Sequence, residues 1–584
     1  MSDVARLFLL LSIPGLPLLL AIGLTLPALR RVALLFAPWA AFPALVMSVS
    51  MKPGITFELP WLLFGTRLGF DETARIFLCF TALLWLVASV YTVGYFKDRS
   101  SRSRFFTWFL LSMAGNLGLI LAQDMIIFYS FFALMSFASY GLVVHDRTPE
   151  AFRAGGVYII LVVVGEVLLL AAFAYAAQAA GSIELEAARP AVAGSEARDL
   201  IIGLTLLGFG IKAGVIGLHV WLPLAHPVAP TPASAVLSGA MIAAGLLGWL
   251  RILPLGEAAL PGWGGAMIVA GMAAAFYAVL VGLLQSNPKT VLAYSSISKM
   301  GIMTIAVGLG LVEPDSWPLI LSAILIYALH HGLAKGALFL GAGLTAIPPA
   351  SNRQRFLLIA GLLLPALSLA GAPLTSGMIA KNLLKVQATS ASPPWGDWLP
   401  ILLPWSAVAT SMLMVRFLSL VWLQHKYTAA AQATPKAMWL SWIALLVVVA
   451  LTPWFIPYTD SLDNWTVKTM ISALWPVALG GGLAVCIWLY ARRRWITWSL
   501  HVPPGDLLVF VEGWLCSLVT SGRGFGLETL PKWRLSFLAG CKRFRDGSEL
   551  WSVLDSGENR FGYWAIATTL FLMLAMGFIF LAAH

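Results

Sequence analysis

Several ionisable side chains in this sequence lie inside apolar runs, and their spacing suits proton chemistry. Lys212 sits about a dozen residues into a run that starts near Leu200. It is followed by Gly214, Gly217, His219, Pro223, His226, Pro227, Pro230 and Pro232. Glycine and proline loosen the helical hydrogen-bond ladder, and backbone groups freed in hydrocarbon persist only where protein or water satisfies them. A lysine at that depth is costly and faces a bundle interior or a hydrated path, and a broken helix beside a buried ion points to a transport site. The alternative is a packing kink with a lysine that snorkels to an interface.

A second constellation is IYALHHGLAKGALFL (326–340), which places His330, His331 and Lys335 in one apolar helix. His331 and Lys335 are four apart, so they share a face one turn from each other. Histidine titrates near neutral pH and lysine loses proton affinity in a low dielectric, so such a pair can pass protons through water. Its plainer reading is a polar packing knot. Lys381 follows a second interruption, AGAPLTSG (370–377), and Lys385 lies one turn further on. Lys381 is read as a third buried cation or as an interfacial lysine. Lys299, in SSISKMG, is read as a relay group or a structural contact. Glu166, in VVVGEVLLL, has no charge beside it in sequence, and Lys212 on the next helix is its natural partner. Asp124 opens a helix, as a cap or as a site of proton intake.

The elements that position these groups are membrane spans. The chain has 584 residues, 60% hydrophobic and 11% charged, which predicts an all-α polytopic membrane protein. At about 20 apolar residues per span, helices are expected near 5–28, 32–51, 74–96, 105–122, 124–144, 153–179, 199–224 (broken), 232–253, 262–284, 289–311, 317–345, 355–385 (broken at Pro373), 398–424, 437–457, 471–491 and 562–583. These sixteen are numbered in order below. ITFELPWLLFGTRLGF (55–70) reads as an extended or hairpin loop.

Two inverted five-helix repeats, helices 4–8 and 9–13, are expected, each with a broken helix. The corresponding regions are 1–104, with the first three helices and an extra-cytoplasmic loop; 105–253 and 262–424, the repeats; 425–491; 492–560; and 561–584. Residues 492–560 are basic and aromatic, with Pro503, Pro504, SGRGFG (521–526) and Pro531, and read as amphipathic segments on the cytoplasmic face. Basic loops follow odd-numbered helices and acidic loops follow even ones, with Lys52 and Arg67 as exceptions. That pattern puts both termini on the non-cytoplasmic side. The net charge of +11 is thereby explained by topology, and no nucleic-acid partner is expected. Cys79, Cys486, Cys516 and Cys541 are far apart, and no nucleotide-binding glycine motif is present, so no metal, flavin, cluster or nucleotide is expected on this chain.

GIKAGVIGLHVWLPLAHPVAPTPASAVLSGAMI (210–242), KTVLAYSSISKMG (289–301), LHHGLAKGALFLGAG (329–343) and GAPLTSGMIAK (371–381) resemble the antiporter-like subunits of complex I and its relatives. These relatives are the L-type subunit (subunit 5) of bacterial NADH–quinone oxidoreductase, the matching subunits of group 4 membrane hydrogenases, and the large subunits of multisubunit sodium/proton antiporters. The wording is closest to the hydrogenase-type branch, and the resemblance covers about residues 70–425. It implies a bacterial-type inner-membrane subunit that works with other membrane subunits and with soluble redox subunits, the redox cofactors residing in those partners. It implies that Lys212, His331, Lys335 and Lys381 relay protons or, in an antiporter, exchange sodium. Two departures stand out. Ala133 occupies the place of the family's helix 5 glutamate, and Ala243 that of the hydrogenase-type helix 8 lysine. Glu166 is then the substitute acid, or the first half-channel is silent. The expected function is proton translocation in a redox-driven complex. The alternatives are a sodium/proton antiporter or ion-coupled inorganic-carbon uptake subunit, and a structural subunit with a degenerate pumping path.

Overall fold

The computed structural model describes residues 3–60, 65–96, 98–349, 351–423, 434–456, 466–494, 502–505 and 507–508. Helix 1 spans Asp3–Thr25 and helix 2 spans Arg30–Ser50. Helix 2 is not one continuous rod. It tightens into a 3-10 turn at Ala37–Trp39, where Pro38 cannot continue the α-helical ladder. The hairpin expectation holds: β1 (Ile55–Leu59) pairs antiparallel with β2 (Thr66–Phe70).

Helices 3 to 6 are Glu72–Tyr95, Arg99–Leu121, Met125–Val143 and Pro149–Ala180. Asp71, Asp98, Asp124 and Thr148 cap their first turns through side-chain acceptors, satisfying amides that a helix start leaves open. Helix 7 is broken into 7a (Arg198–Ala213) and 7b (Trp221–Val228). Helix 8 covers Thr231–Ile252 and widens to a π-turn at Leu237–Met241. Helices 9, 10 and 11 are Pro261–Leu283, Pro288–Val312 and Trp317–Thr345. Helix 12 is broken into 12a (Asn352–Ala370) and 12b (Ser376–Thr389). Helices 13, 14 and 15 are Trp395–Leu423, Lys436–Phe455 and Val467–Arg494.

Fourteen of these helices are long and apolar enough to cross a membrane, and broken helix 7 completes the first fifteen expected spans. The expected helix at 562–583 and nearly all of 492–560 lie outside the described residues. Each five-helix unit carries its break in the fourth helix, and the odd count inverts the second unit relative to the first.

Both breaks use the same local geometry. Helix 7a ends at Gly214 (φ 69°) and helix 12a at Gly371 (φ 87°), in the left-handed region that only glycine adopts cheaply. In each, the glycine amide bonds back to the third residue before it (Ile211, Ser368). The following amide bonds to the carbonyl one residue earlier (Val215 to Gly210, Ala372 to Leu367). This is a Schellman motif, which closes a helix end without solvent.

Buried residues concentrate in the middle of the chain. The exposed large side chains of helices 1 and 2, such as Phe8, Leu35 and Val49, mark a lipid-facing flank. Helices 9 and 10 are pressed together through reciprocal glycines. A Cβ on Gly301 would lie 2.6 Å from the Gly271 carbonyl oxygen, and one on Gly308 2.7 Å from that of Gly264.

Candidate functional site

The first break places Lys212 at the last turn of helix 7a, buried to 3% exposure. The Trp221 indole of helix 7b donates to the Ile211 carbonyl at 2.8 Å, helping satisfy the backbone freed by the break. The lysine therefore does not serve that carbonyl and turns to helix 6 instead. Lys212 Nζ donates to Tyr158 Oη at 3.1 Å, and Tyr158 Oη donates to the Ser136 carbonyl of helix 5 at 2.8 Å. The same ammonium lies 5.4 Å from the Tyr158 ring centre and 5.8 Å from that of Trp221, within cation–π range.

Glu166 stands two turns beyond Tyr158 on helix 6, and the close approach of Gly165 to Gly208 brings this part of helix 6 against helix 7a. The glutamate is 1% exposed, and neither carboxyl oxygen has a hydrogen-bond partner among the described residues. The charges of Glu166 and Lys212 act on each other, yet no direct ion pair within 4.0 Å joins them among the described residues. Ala133 is fully buried on helix 5.

The central group is built on helices 10 and 11. Lys335 Nζ donates to the Leu292 carbonyl and to Ser295 Oγ. One residue on, Ser296 Oγ meets Ser238 Oγ of the helix 8 π-turn at 2.7 Å. Lys335 and Ser296 share the Leu292 carbonyl as an acceptor, which joins the Lys335 group to helix 8, where Ala243 supplies no lysine. His331 shares the Lys335 face, and neither of its ring nitrogens has a partner among the described residues. His226 of helix 7b is likewise buried with both nitrogens unpartnered there, its ring stacked on Phe339 at 4.7 Å. Lys299, on helix 10, donates to Thr410 Oγ1 of helix 13 at 2.6 Å.

The second break is organised differently from the first. Here the lysine itself serves the opened helix end. Lys381 of helix 12b reaches back and donates to the Ala370 carbonyl, its stem lying over Gly371. Lys381 is half-buried and borders a cavity lined also by Tyr327, Lys385, Ser406 and Ser472. His330 Nδ1 pairs with Ser376 Oγ at 2.9 Å, at the first residue of helix 12b. The two adjacent histidines therefore differ: His330 is bonded to the second break, whereas His331 shares the Lys335 face with no hydrogen-bond partner among the described residues.

Asp124 lies between spans and is the N-cap of helix 5. Its carboxylate accepts from the Ile127 amide at 2.8 Å and from the Arg67 amide of β2 at 2.8 Å. The Arg67 guanidinium is engaged with Glu58 and Glu184. Burial outweighs the two amide bonds and pushes the Asp124 carboxyl up to about 6. A raised acid pKa means that the folded protein binds this proton more tightly than the unfolded chain. The contribution of Asp124 to stability is full below about 3.8 and falls as pH rises through about 6. Infrared difference spectra between pH 5 and pH 7 should show one carboxyl losing its proton, and Asp124→Asn should remove that band. Persistence of the band in the variant would assign it elsewhere.

The sequence reading named the charged groups at the two breaks but passed over Lys289, whose ammonium donates to the Ala229 carbonyl between helices 7b and 8 at 2.7 Å. It missed the neutral partners: Tyr158, the Ser238–Ser296 pair, Thr410 and Ser376. The serine doublet 295–296 stood in a quoted motif, whereas Tyr158 gave no sequence signal beyond an aromatic residue in an apolar helix.

The family profile described as NADH:quinone oxidoreductase/Mrp antiporter, transmembrane, matches residues 122–403. The chain is 31% identical over 297 residues to hydrogenase-4 component B of Escherichia coli, covering 49% of this chain and 44% of that protein. It is 30% identical over 367 residues to the putative antiporter subunit mnhA2 of Staphylococcus saprophyticus, covering 58% of this chain and 45% of that protein. The chain therefore spans less than half the length of these two relatives. Its fold matches a chain in the structure of the Mrp complex from Dietzia sp. with a TM-score of 0.72 at 21% identity, covering 92% of this chain and 62% of that one.

Proposed function

We propose, proceeding from the match of residues 122–403 to the NADH:quinone oxidoreductase/Mrp antiporter profile, that this chain is the proton-translocating membrane subunit of a redox-driven complex. It is a multi-pass membrane protein, and its relatives are subunits of multisubunit assemblies. The observation that carries the reading is the row of basic groups at the two breaks and between them, buried but for half-buried Lys381. Lys212 closes helix 7a, Lys335 and Lys299 occupy helices 11 and 10, and Lys381 caps helix 12a.

Each lysine has neutral acceptors that tolerate both its charged and its uncharged form. Lys299, Lys335 and Lys381 are like-charged groups on helices 10, 11 and 12b, of which helix 11 packs on both of the others. Like charges in a low dielectric resist simultaneous protonation, so a proton arriving at one site favours release at the next. His331 and His330 extend the relay toward Lys335 and the second break. Glu166 is the acid of the first unit, and Asp124 opens helix 5 at its non-cytoplasmic end, where protons would leave. Electron-transfer cofactors belong to partner subunits in this reading. In this reading the start of helix 1 faces the non-cytoplasmic side of a bacterial-type inner membrane, a placement that rests on the loop charges.

The Ser238–Ser296 pair is the hydroxyl link between helix 8 and the Lys335 group. Ser238→Ala or Ser296→Ala is expected to slow proton movement about 3- to 10-fold, the worth of one neutral hydrogen bond. Dye-monitored proton uptake into membrane vesicles checks this, and an unchanged rate in both variants would remove the pair from the path.

A second reading, ion exchange, is favoured by the longer alignment to the antiporter subunit, 58% of this chain against 49% for the hydrogenase component. Gentle solubilisation of a tagged chain and mass spectrometry of what co-purifies separates the two. Flavin, iron–sulphur or nickel–iron subunits support the redox-driven pump. Small antiporter subunits alone would overturn it in favour of exchange.

A further inference from the structure

We infer that Tyr158 is the positioning residue of Lys212. Its phenolic oxygen, rather than a carboxylate, holds the ammonium of the first broken helix and accommodates both of its charge states by reversing one hydrogen bond. This inference rests on the reading that Lys212 takes up and releases protons.

A buried ammonium requires an acceptor, and isolated burial of such a charge is prohibitive. Around Lys212, the acceptor present is the Tyr158 hydroxyl at 3.1 Å. Glu166 lies outside ion-pair range, with both oxygens unpartnered among the described residues. The Trp221 indole is committed to the Ile211 carbonyl, and as a donor it could not serve an ammonium in any case. Tyr158 is itself fixed, 1% exposed, with its ring 5.1 Å from that of Trp221 and its hydroxyl donating to the Ser136 carbonyl at 2.8 Å.

A phenol both donates and accepts, which a carboxylate does not. With Lys212 charged, the ammonium donates to Oη and the phenol proton points to the Ser136 carbonyl. When Lys212 gives a proton through water to the Glu166 carboxylate, the products are a neutral amine and a neutral carboxylic acid. The amine nitrogen then carries a lone pair. Rotation about the C–O bond swings the phenol proton from the Ser136 carbonyl to that nitrogen. The phenol keeps its own proton throughout, and one bond between Lys212 and Tyr158 exists in both states. The pair of aromatic faces near the ammonium adds a charge-dependent attraction that survives loss of the hydroxyl.

The test is proton flux driven by a potassium diffusion potential in proteoliposomes holding the intact purified complex, measured against pH with an internal dye. Among the described residues, the charged group acting on Lys212 from helices 6 and 8 and the short helix Leu185–Gly194, all packed on helix 7a, is Glu166. It is unaltered in every variant tested. Tyr158→Phe keeps the ring and deletes the oxygen, and Tyr158→His keeps a ring and a polar atom. The expected result is a loss of about tenfold or more in flux for Tyr158→Phe, the cost of stripping a charged group of its hydrogen bond. The pH profile of the flux should also change, with partial recovery of both properties in Tyr158→His. Equal behaviour of the two variants, whether normal or impaired, would reduce Tyr158 to a packing residue and overturn the inference. Lys335→Ala runs alongside. Lost flux in that variant with full flux in Tyr158→Phe rejects only the role of Tyr158. Full flux in both rejects the relay reading, and this inference with it.

Discussion

Replacing Lys335 with alanine should abolish proton movement through the complex, by about 100-fold or more, while leaving the complex assembled. The magnitude is that of removing a positioned proton-transfer group. The selectivity follows from the hydrogen bonds. Lys335 donates to Leu292 and Ser295, but the Leu292 carbonyl also accepts from Ser295 Oγ at 2.8 Å and Ser296 Oγ at 3.2 Å. Removing the lysine therefore leaves no orphaned acceptor there. Lys335→Met, which fills the space without a charge, separates the effect of charge from that of a cavity. Flux in vesicles and recovery of the complex by size-exclusion chromatography are the two measurements. Normal flux in both variants would end the relay reading.

The largest expected effect on stability lies away from any charge. At Gly301 a Cβ would stand 2.6 Å from the Gly271 carbonyl oxygen, 2.9 Å from Ala274 Cβ and 3.0 Å from the Ala275 amide nitrogen. Backbone atoms cannot step aside one at a time, so Gly301→Val must push helices 9 and 10 apart along their length. Overpacking of this kind costs about 1–3 kcal/mol or more, and Ser295, Ser296 and Lys299 would move with helix 10. A lower melting temperature in detergent and lower yield are expected. Gly262→Ala is the control, since nothing lies within 4 Å of a Cβ there. Equal behaviour of the two would mean that the helix pair is not close-packed in the membrane.

The breaks and the charges were legible in the sequence because hydrocarbon makes both conspicuous. A lysine, a glycine or a proline in an apolar run breaks a strong expectation, so Lys212, Lys335, Lys381 and both interruptions announced themselves. The repeat could be read only as an order of elements. Its physical basis, the identical Schellman closure at Gly214 and Gly371, depends on dihedral angles that many glycines could have adopted. The neutral partners were hidden for a different reason. Tyrosine and serine are ordinary residues in membrane helices, and which of them meets a lysine depends on how helices from distant parts of the chain are rotated. The expected pairing of Glu166 with Lys212 illustrates this. Sequence placed the acid on the adjacent helix, but the rotation of helix 6 presents Tyr158 to the ammonium and leaves Glu166 to act at longer range.

The π-turn at Leu237–Met241 has a consequence for how helix 8 is compared with other sequences. A π-turn holds one residue more than an α-turn, so the two parts of the helix on either side of it are out of phase. Deleting a single residue there would restore a regular helix and leave the two parts on their present faces, because the bulge absorbs its extra residue locally. Arg251, which bonds Asp71 in front of helix 3, would keep that partner. A helical wheel drawn through the whole of helix 8 therefore assigns wrong faces to one half. Counting residues from Ser234 to Ala243 likewise compares positions that a relative without the extra residue would point in another direction.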